Sequence, residues 1–198
     1  MTRRRNPPKT CWLPRSTPRL LLRPFQEDDL ADAHAYASDP EVTRFMIWGP
    51  NTREESRAFL DRKLAEQSVW PRADVSMAVE LVAERRVIGA FDLEIVDPVH
   101  RTAEFGYCLA SVHWGRGYAT EATGALIRHG FEVLGLHRII GTCDTRNARS
   151  WRVMERLGLR REGQFKRDRK ARRGWRDSYL YAVLASEWRA RNPLGNSV

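Results

Sequence analysis

Lysine is nearly missing from this 198-residue chain: four stand against 30 arginines among its 34 basic side chains. Cysteine is scarce as well. Cys11, Cys108 and Cys143 are odd in number and show neither CxxC nor metal-ligand spacing. A disulfide framework and a zinc-type site are therefore excluded as organising features, and a reducing compartment fits. Cys108 and Cys143 stand in apolar runs, where a buried inert thiol is expected. Long apolar runs are also missing, so no segment approaches membrane-spanning length, and Arg3-Arg4-Arg5 is not followed by the apolar stretch of a secretory leader. The expectation is a soluble cytoplasmic protein with neither metal nor membrane partner. Nothing repeats internally, and the length suits one domain with a real core.

What is present is charge, and it is uneven. The net +9 divides into a basic start (residues 1–19, six basic groups and no acid) and an acidic body (20–145, 13 basic against 20 acidic). A strongly basic segment follows (146–176, 13 against three), and the remainder is neutral. An acidic body with one basic patch is not a general nucleic-acid binder. The patch suits a phosphorylated cofactor, an acidic protein or RNA, or simply a solvated arginine-rich surface.

The first 18 residues, basic and broken by proline, read as a flexible arm. Order is predicted from Arg19 to about 188, leaving 189–198 as a tail. A short strand at 19–23 stops at Pro24. A helix opens on Glu27-Asp28-Asp29, whose charge suits the helix dipole, and Asp39-Pro40 breaks it. Thr52 with Glu55 three residues on forms a capping box for a helix presenting Phe59, Leu60 and Leu64 to the core. Strands follow at 76–82, 87–96 and 101–109, then a helix over 120–134 with the stripe Ala122, Thr123, Leu126, Ile127, Phe131, Val133 and Leu134. A strand at 138–144, a helix at 148–157 and strands at about 160–166 and 177–184, separated by an Arg/Lys/Asp/Gly loop, complete the chain. The order β-α-α-β-β-β-α-β-α-β-β predicts an α/β (mixed α+β) fold, with one parallel crossover among antiparallel pairs.

The central turn, Trp114-Gly115-Arg116-Gly117-Tyr118-Ala119-Thr120, joins an aromatic strand to an amphipathic helix. Two glycines there let the backbone approach a guest closely and aim free N–H groups at it. The positive end of the helix adds to this, so the turn suits a phosphate.

That element order, with WGRGYATEA at 114–122, resembles the GNAT superfamily of acyl-CoA-dependent N-acyltransferases, and within it the RimJ/RimL-type branch of protein N-terminal acetyltransferase-like proteins. The likeness covers residues 18–188. It also rests on Leu20-Leu21-Leu22-Arg23-Pro24-Phe25, on Ala103-Glu104-Phe105-Gly106-Tyr107, and on Asn147 and Ser150 ahead of Arg156-Leu157-Gly158-Leu159. There are two departures. Trp114 opens the phosphate signature where Gln or Arg is usual, and Met154 stands where many members carry a tyrosine that protonates the leaving thiolate.

The resemblance implies a seven-stranded, mostly antiparallel sheet with helices on both faces. It also implies acetyl-CoA as co-substrate and direct transfer to a primary amine, with protein N-termini the favoured acceptor. The pyrophosphate would sit on residues 114–120: Trp114, Gly115, Arg116, Gly117, Tyr118, Ala119 and Thr120. Cys108 and Leu109 would meet the pantetheine arm through their main chain, and a main-chain N–H of the same strand would stabilise the thioester oxyanion. Asn147 would contact the pantetheine arm, serve as an N-cap, or both. Glu104 matches the family's general base and is alternatively an outward-facing strand glutamate; Asp92 and Glu94 stand in reserve for holding the incoming ammonium. Ser150 would donate to the CoA thiolate, against the alternative of a helix-start serine satisfying local backbone. Arg149 and Arg152 could meet the 3′-phosphate, and Glu121 reads as a structural carboxylate. The basic segment 166–176, on the acceptor side, would attract an acidic protein or the ribosome. A small-molecule amine acetyltransferase and a non-catalytic CoA- or RNA-binding module are the alternative functions. The oligomeric state, a homodimer included, is left open.

Overall fold

The computed structural model describes residues 15–67, 74–171 and 174–192. Eight strands build one sheet: β1 (Arg15–Ser16), β2 (Leu20–Arg23), β3 (Asp74–Leu81), β4 (Arg86–Asp97), β5 (Thr102–Leu109), β6 (Arg138–Asp144), β7 (Arg160–Ala171) and β8 (Gly174–Leu184). Their spatial order is β1-β2-β3-β4-β5-β6-β8-β7, and β5–β6 is the one parallel pair among the described strands. The helices are α1 (Leu30–Ala37), α2 (Pro40–Thr43), α3 (Arg53–Glu66), α4 (Tyr118–Glu132), α5 (Ala148–Arg156) and α6 (Ala185–Arg191).

Strand alternation divides the core between two faces. Met77, Val79, Phe91, Leu93, Phe105 and Ile139 meet Leu126, Ile127 and Phe131 of α4 on one face. Ala78, Ala90 and Cys108 meet Tyr36 of α1 and Leu60 of α3 on the other. Each such large side chain, fully buried, contributes about 1.5–3 kcal/mol. The capping box of α3 is formed as read: Glu55 N–H donates to Thr52 Oγ1 at 3.2 Å and Thr52 N–H to Glu55 Oε2 at 2.7 Å. Along α4 the expected stripe is buried as far as Phe131, whereas Val133 is exposed.

The sheet has eight strands rather than seven. The extra one, β1, pairs antiparallel with β2 (Arg15↔Leu22, Ser16↔Leu21) and falls inside the stretch read as a flexible arm; residues 1–14 lie outside the described residues. Two residues are too few to show a period in sequence. Asp39-Pro40 does end α1, but it also starts α2, with Asp39 accepting from Glu41 N–H at 2.8 Å.

The loop expected between the last two strands is mostly strand. β7 reaches Ala171 and β8 begins at Gly174, with irregular register between Phe165 and Arg169; residues 172–173 lie outside the described ones. This hairpin is exposed along most of β7, so its charged residues carry no apolar alternation. α6, not foreseen from sequence, is held by Trp188, buried with its ring centroid 6.2 Å from that of Phe131.

Candidate functional site

The site begins where the sheet comes apart. β5 and β6 keep register only from Thr102↔Arg138 to Phe105↔Gly141. Beyond that point β5 follows β4 as far as Leu109↔Gly89, while β6 follows β8 as far as Asp144↔Ser178. The gap opens into a cleft of about 680 Å³, bounded by both strands, the glycine turn, the start of α5 and the 44–48 loop.

The ladder decides which main-chain groups face the gap. Ala110 N–H donates to Ile88 O at 2.8 Å, so even-numbered residues of β5 bond toward β4 and odd-numbered ones turn away. Tyr107 and Leu109 therefore present N–H and C=O to the cleft. Trp114 Nε1 donates to Leu109 O at 2.8 Å, which leaves the Leu109 N–H for a guest. The same bond gives Trp114 a physical role, tying the turn to β5. Cys108, expected beside Leu109 as a main-chain contact, bonds toward β4 instead. Cys108 still lines the cleft, its side chain packs with Ala78, Ala90 and Tyr36, and burial pushes its thiol up to about 12.

At the turn, Gly115 and Gly117 have φ of +77° and +84°, a conformation that costs other residues about 1–2 kcal/mol. Gly117 caps α4 without a side-chain acceptor, and the first helical bond runs from Glu121 N–H to Gly117 O at 3.0 Å. The N–H groups from Gly115 to Thr120 have no acceptor among the described residues. Successive free amides at a helix start form an anion-binding concavity.

Arg19 holds this turn from outside. Its Nη1 donates to Arg116 O at 3.0 Å, its Nη2 lies 2.6 Å from Glu121, and its guanidinium covers the Tyr118 ring at 4.5 Å. Thr17 Oγ1 also donates to Glu121, at 2.6 Å. Burial acts to raise the Glu121 pKa, but the bonds from Thr17 and Arg19 outweigh it and hold the carboxyl below its usual range. Gly115, Gly117, Tyr118, Ala119 and Thr120 line the cleft; the exposed Arg116 is not among the lining residues.

Asn147 is the N-cap of α5, with Oδ1 accepting from Ser150 N–H at 3.3 Å. Ser150 lines the cleft, and its Oγ lies 3.4 Å from the Tyr107 hydroxyl. Tyr107 stacks on Phe91 with centroids 5.0 Å apart, and burial pushes its hydroxyl up to about 12 against the opposing bond from Ser150. Met154 is buried and carries no proton to give. Tyr107 is thus the functional candidate that sequence reasoning missed. Its position under Ser150 depends on where β6 leaves β5, which no motif announces.

Glu104 is not among the lining residues. Its Oε1 accepts from Thr142 Oγ1 at 2.6 Å and lies 3.5 Å from Arg169 Nη2. Thr142 does line the cleft, so Glu104 communicates with it through one hydroxyl. Asp92, which accepts from Ser76, and Glu94 both lie away from the lining.

Arg149, stacked over Trp114 at 4.7 Å, borders the cleft together with Arg152 and Arg156. Around the 44–48 loop the mouth of the cleft is lined by Glu41, Arg44, Phe45, Met46, Ile47, Trp48, Asp144, Arg146 and Arg176, with Arg146 over the Phe45 ring and Arg176 bonded to Phe45 O. Burial acts to raise the Asp144 pKa, yet Arg146, 2.7 Å away, brings it below its usual range. Among the described residues, no group of His, Cys, Asp and Glu could hold a metal ion, and no helix is long and apolar enough to cross a membrane.

A parted sheet beside a capless, glycine-started helix, with hydroxyls at the split, defines an acyltransferase architecture. The chain belongs to the GNAT acetyltransferase family: residues 19–160 match the Acetyltransferase (GNAT) domain. The uncharacterised N-acetyltransferase YnaD of Bacillus subtilis strain 168 is 35% identical over 87% of this chain and 98% of its own. The structure of Mycobacterium smegmatis RimJ in complex with CoA-disulfide superposes with a TM-score of 0.74 at 25% identity, covering 85% of this chain and 83% of that one. Spermidine N(1)-acetyltransferase of Escherichia coli K12 is 27% identical over 72% of this chain and 74% of its own. The protein is an N-acetyltransferase with a likeness to the RimJ/RimL-type branch.

Proposed function

We propose that this N-acetyltransferase moves an acetyl group from acetyl-CoA directly onto a primary amine, the α-amine of a protein or peptide N-terminus. The observation that carries the reading is the gap beyond Phe105 and Gly141, with the unpaired amides of residues 115–120 along one side. Those amides suit the pyrophosphate, and Arg149, Arg152 and Arg156 suit the remaining phosphate. The outward main-chain groups of Tyr107, with the Leu109 N–H, suit the amide-bearing pantetheine arm, and the Asn147 amide adds a donor nearby.

In the transfer itself, the amine lone pair attacks the thioester carbon. A main-chain N–H of β5 stabilises the charge that develops on the carbonyl oxygen. As the C–S bond breaks, Ser150 Oγ gives its proton to the sulfur and takes one from the Tyr107 hydroxyl beside it, which regains its proton from solvent through the open cleft before the next turnover. The amine must first be neutral. An α-amine, with a pKa of about 8, needs less help than lysine at about 10.4. Arg44, Arg146 and Arg176 at the mouth disfavour an ammonium further. Thr142 offers the departing proton a path to Glu104.

A polyamine acceptor is the second reading, favoured by the likeness to spermidine N(1)-acetyltransferase. The acceptor mouth weighs against it: its carboxylates are Glu41 and Asp144, and Asp144 is already paired with Arg146. The test is thiol release from acetyl-CoA across a panel of peptide N-termini, polyamines and small antibiotics, with CoA binding followed by calorimetry. Peptide α-amines should turn over fastest. Polyamines turning over faster would favour the second reading. CoA binding without turnover on any amine would leave a non-catalytic binder, and absence of CoA binding would remove the transferase reading.

A further inference from the structure

The acceptor mouth contains a guanidinium with an unused edge. Arg176, on β8, is 9% exposed and borders the cleft. Its Nη1 donates to Phe45 O at 2.7 Å, while its Nε is buried and has no partner among the described residues. Asp144, whose pKa the nearby Arg176 helps to lower, is hydrogen-bonded to Arg146 at 2.7 and 2.9 Å and makes no hydrogen bond to Arg176 among the described residues. A buried guanidinium left with donors unmatched is costly unless a guest completes it. With Nη1 occupied, the Nε–Nη2 edge is the fork that takes a carboxylate with two parallel bonds, once a turn of the side chain brings the shielded Nε to the cleft.

The surroundings point the same way. Phe45, Met46, Ile47 and Trp48 wall the mouth with apolar surface, and Arg44 and Arg146 add positive charge. Such a pocket rejects a second cation and rewards an anion carried on the acceptor.

We infer that the acceptor is an amine bearing a carboxylate, and that Arg176 binds that carboxylate and thereby orients the amine toward the thioester. The inference rests on the transferase reading and deepens it. Two sources carry this chemistry: a free amino acid, whose carboxylate adjoins the amine, and a peptide with Asp or Glu next to its N-terminal residue.

The experiment compares matched acceptors: free amino acids against their amides, and peptides with Asp or Glu at the second position against Asn or Gln. Each is measured by thiol release and by calorimetric binding to protein saturated with CoA, so a protein without turnover still reports. The carboxylate form should bind at least about tenfold more tightly in one of the two pairs, which identifies the source. In Arg176→Gln that preference should disappear, with the KM for acetyl-CoA unchanged. Arg176→Lys, which keeps the charge but loses the fork, should recover part of it. If wild-type protein binds carboxylate and amide forms equally, the inference is overturned even though transferase activity stands. The same holds if Arg176→Gln weakens both forms alike. Loss of CoA binding itself would instead count against the transferase reading.

Discussion

Ser150 and Tyr107 come from different elements, and their hydroxyls meet at 3.4 Å on the wall of the cleft. Under the proposed mechanism Ser150→Ala should lower kcat by about 10- to 100-fold with little change in CoA affinity, since a general acid would act on the departing thiolate and not on the bound cofactor. Tyr107→Phe should act in the same direction, and the double variant should lose less than the product of the two, as for groups sharing one proton path. With its pKa pushed up to about 12, Tyr107 stays protonated throughout the assay range, so its proton is available below that value and lost only above it. The rate should therefore rise with pH as the amine deprotonates and hold to about pH 10 without an alkaline fall; stopped-assay pH profiles check this. The place of Ser150 on the cleft wall was legible in the sequence, since positions 150, 153, 154 and 157 share one helical face and Val153 and Met154 are buried. Tyr107 was not, because its role requires knowing which strand lies above it. Cys108 was placed one residue out of phase for a related reason: the choice between odd and even main-chain directions is made by the β4 ladder.

The glycine turn shows how an element made mostly of backbone can be read from letters alone. Positive φ at Gly115 and Gly117 is a demand only glycine meets cheaply, so the residue type reveals the conformation. Gly117→Ala should cost about 1–2 kcal/mol of stability and weaken CoA binding, measured by urea unfolding and calorimetry. A stability loss with unchanged CoA affinity would separate the turn from the phosphate. The long β7–β8 hairpin was illegible beyond its base, since a ladder pairs backbone irrespective of side chain and β7 lies largely in solvent. The brace from Arg19 and Glu121 to the turn was hidden too. It joins residues about a hundred positions apart, and no local pattern records such a contact.

For the molecule as a whole, element order was legible because hydrophobic period and turn residues agree along the acidic body; the chain ends were not, because β1 is two residues long and α6 depends on burying Trp188. The strands divide into β1–β5 on one side and β6–β8 on the other, meeting along four residue pairs. A CoA molecule spanning the split should stabilise the fold by about 2.7 kcal/mol at a hundredfold excess over Kd. Thermal unfolding should show a shift of roughly 5–10 °C. Hydrogen exchange should slow at Tyr107 and Leu109. Through Glu121, which grips Thr17 and Arg19, the protection should travel to the outermost edge of the sheet. The reagent this enzyme consumes would then double as a suture across its two halves, and each round of catalysis would end with the molecule briefly less tightly sewn than when it began.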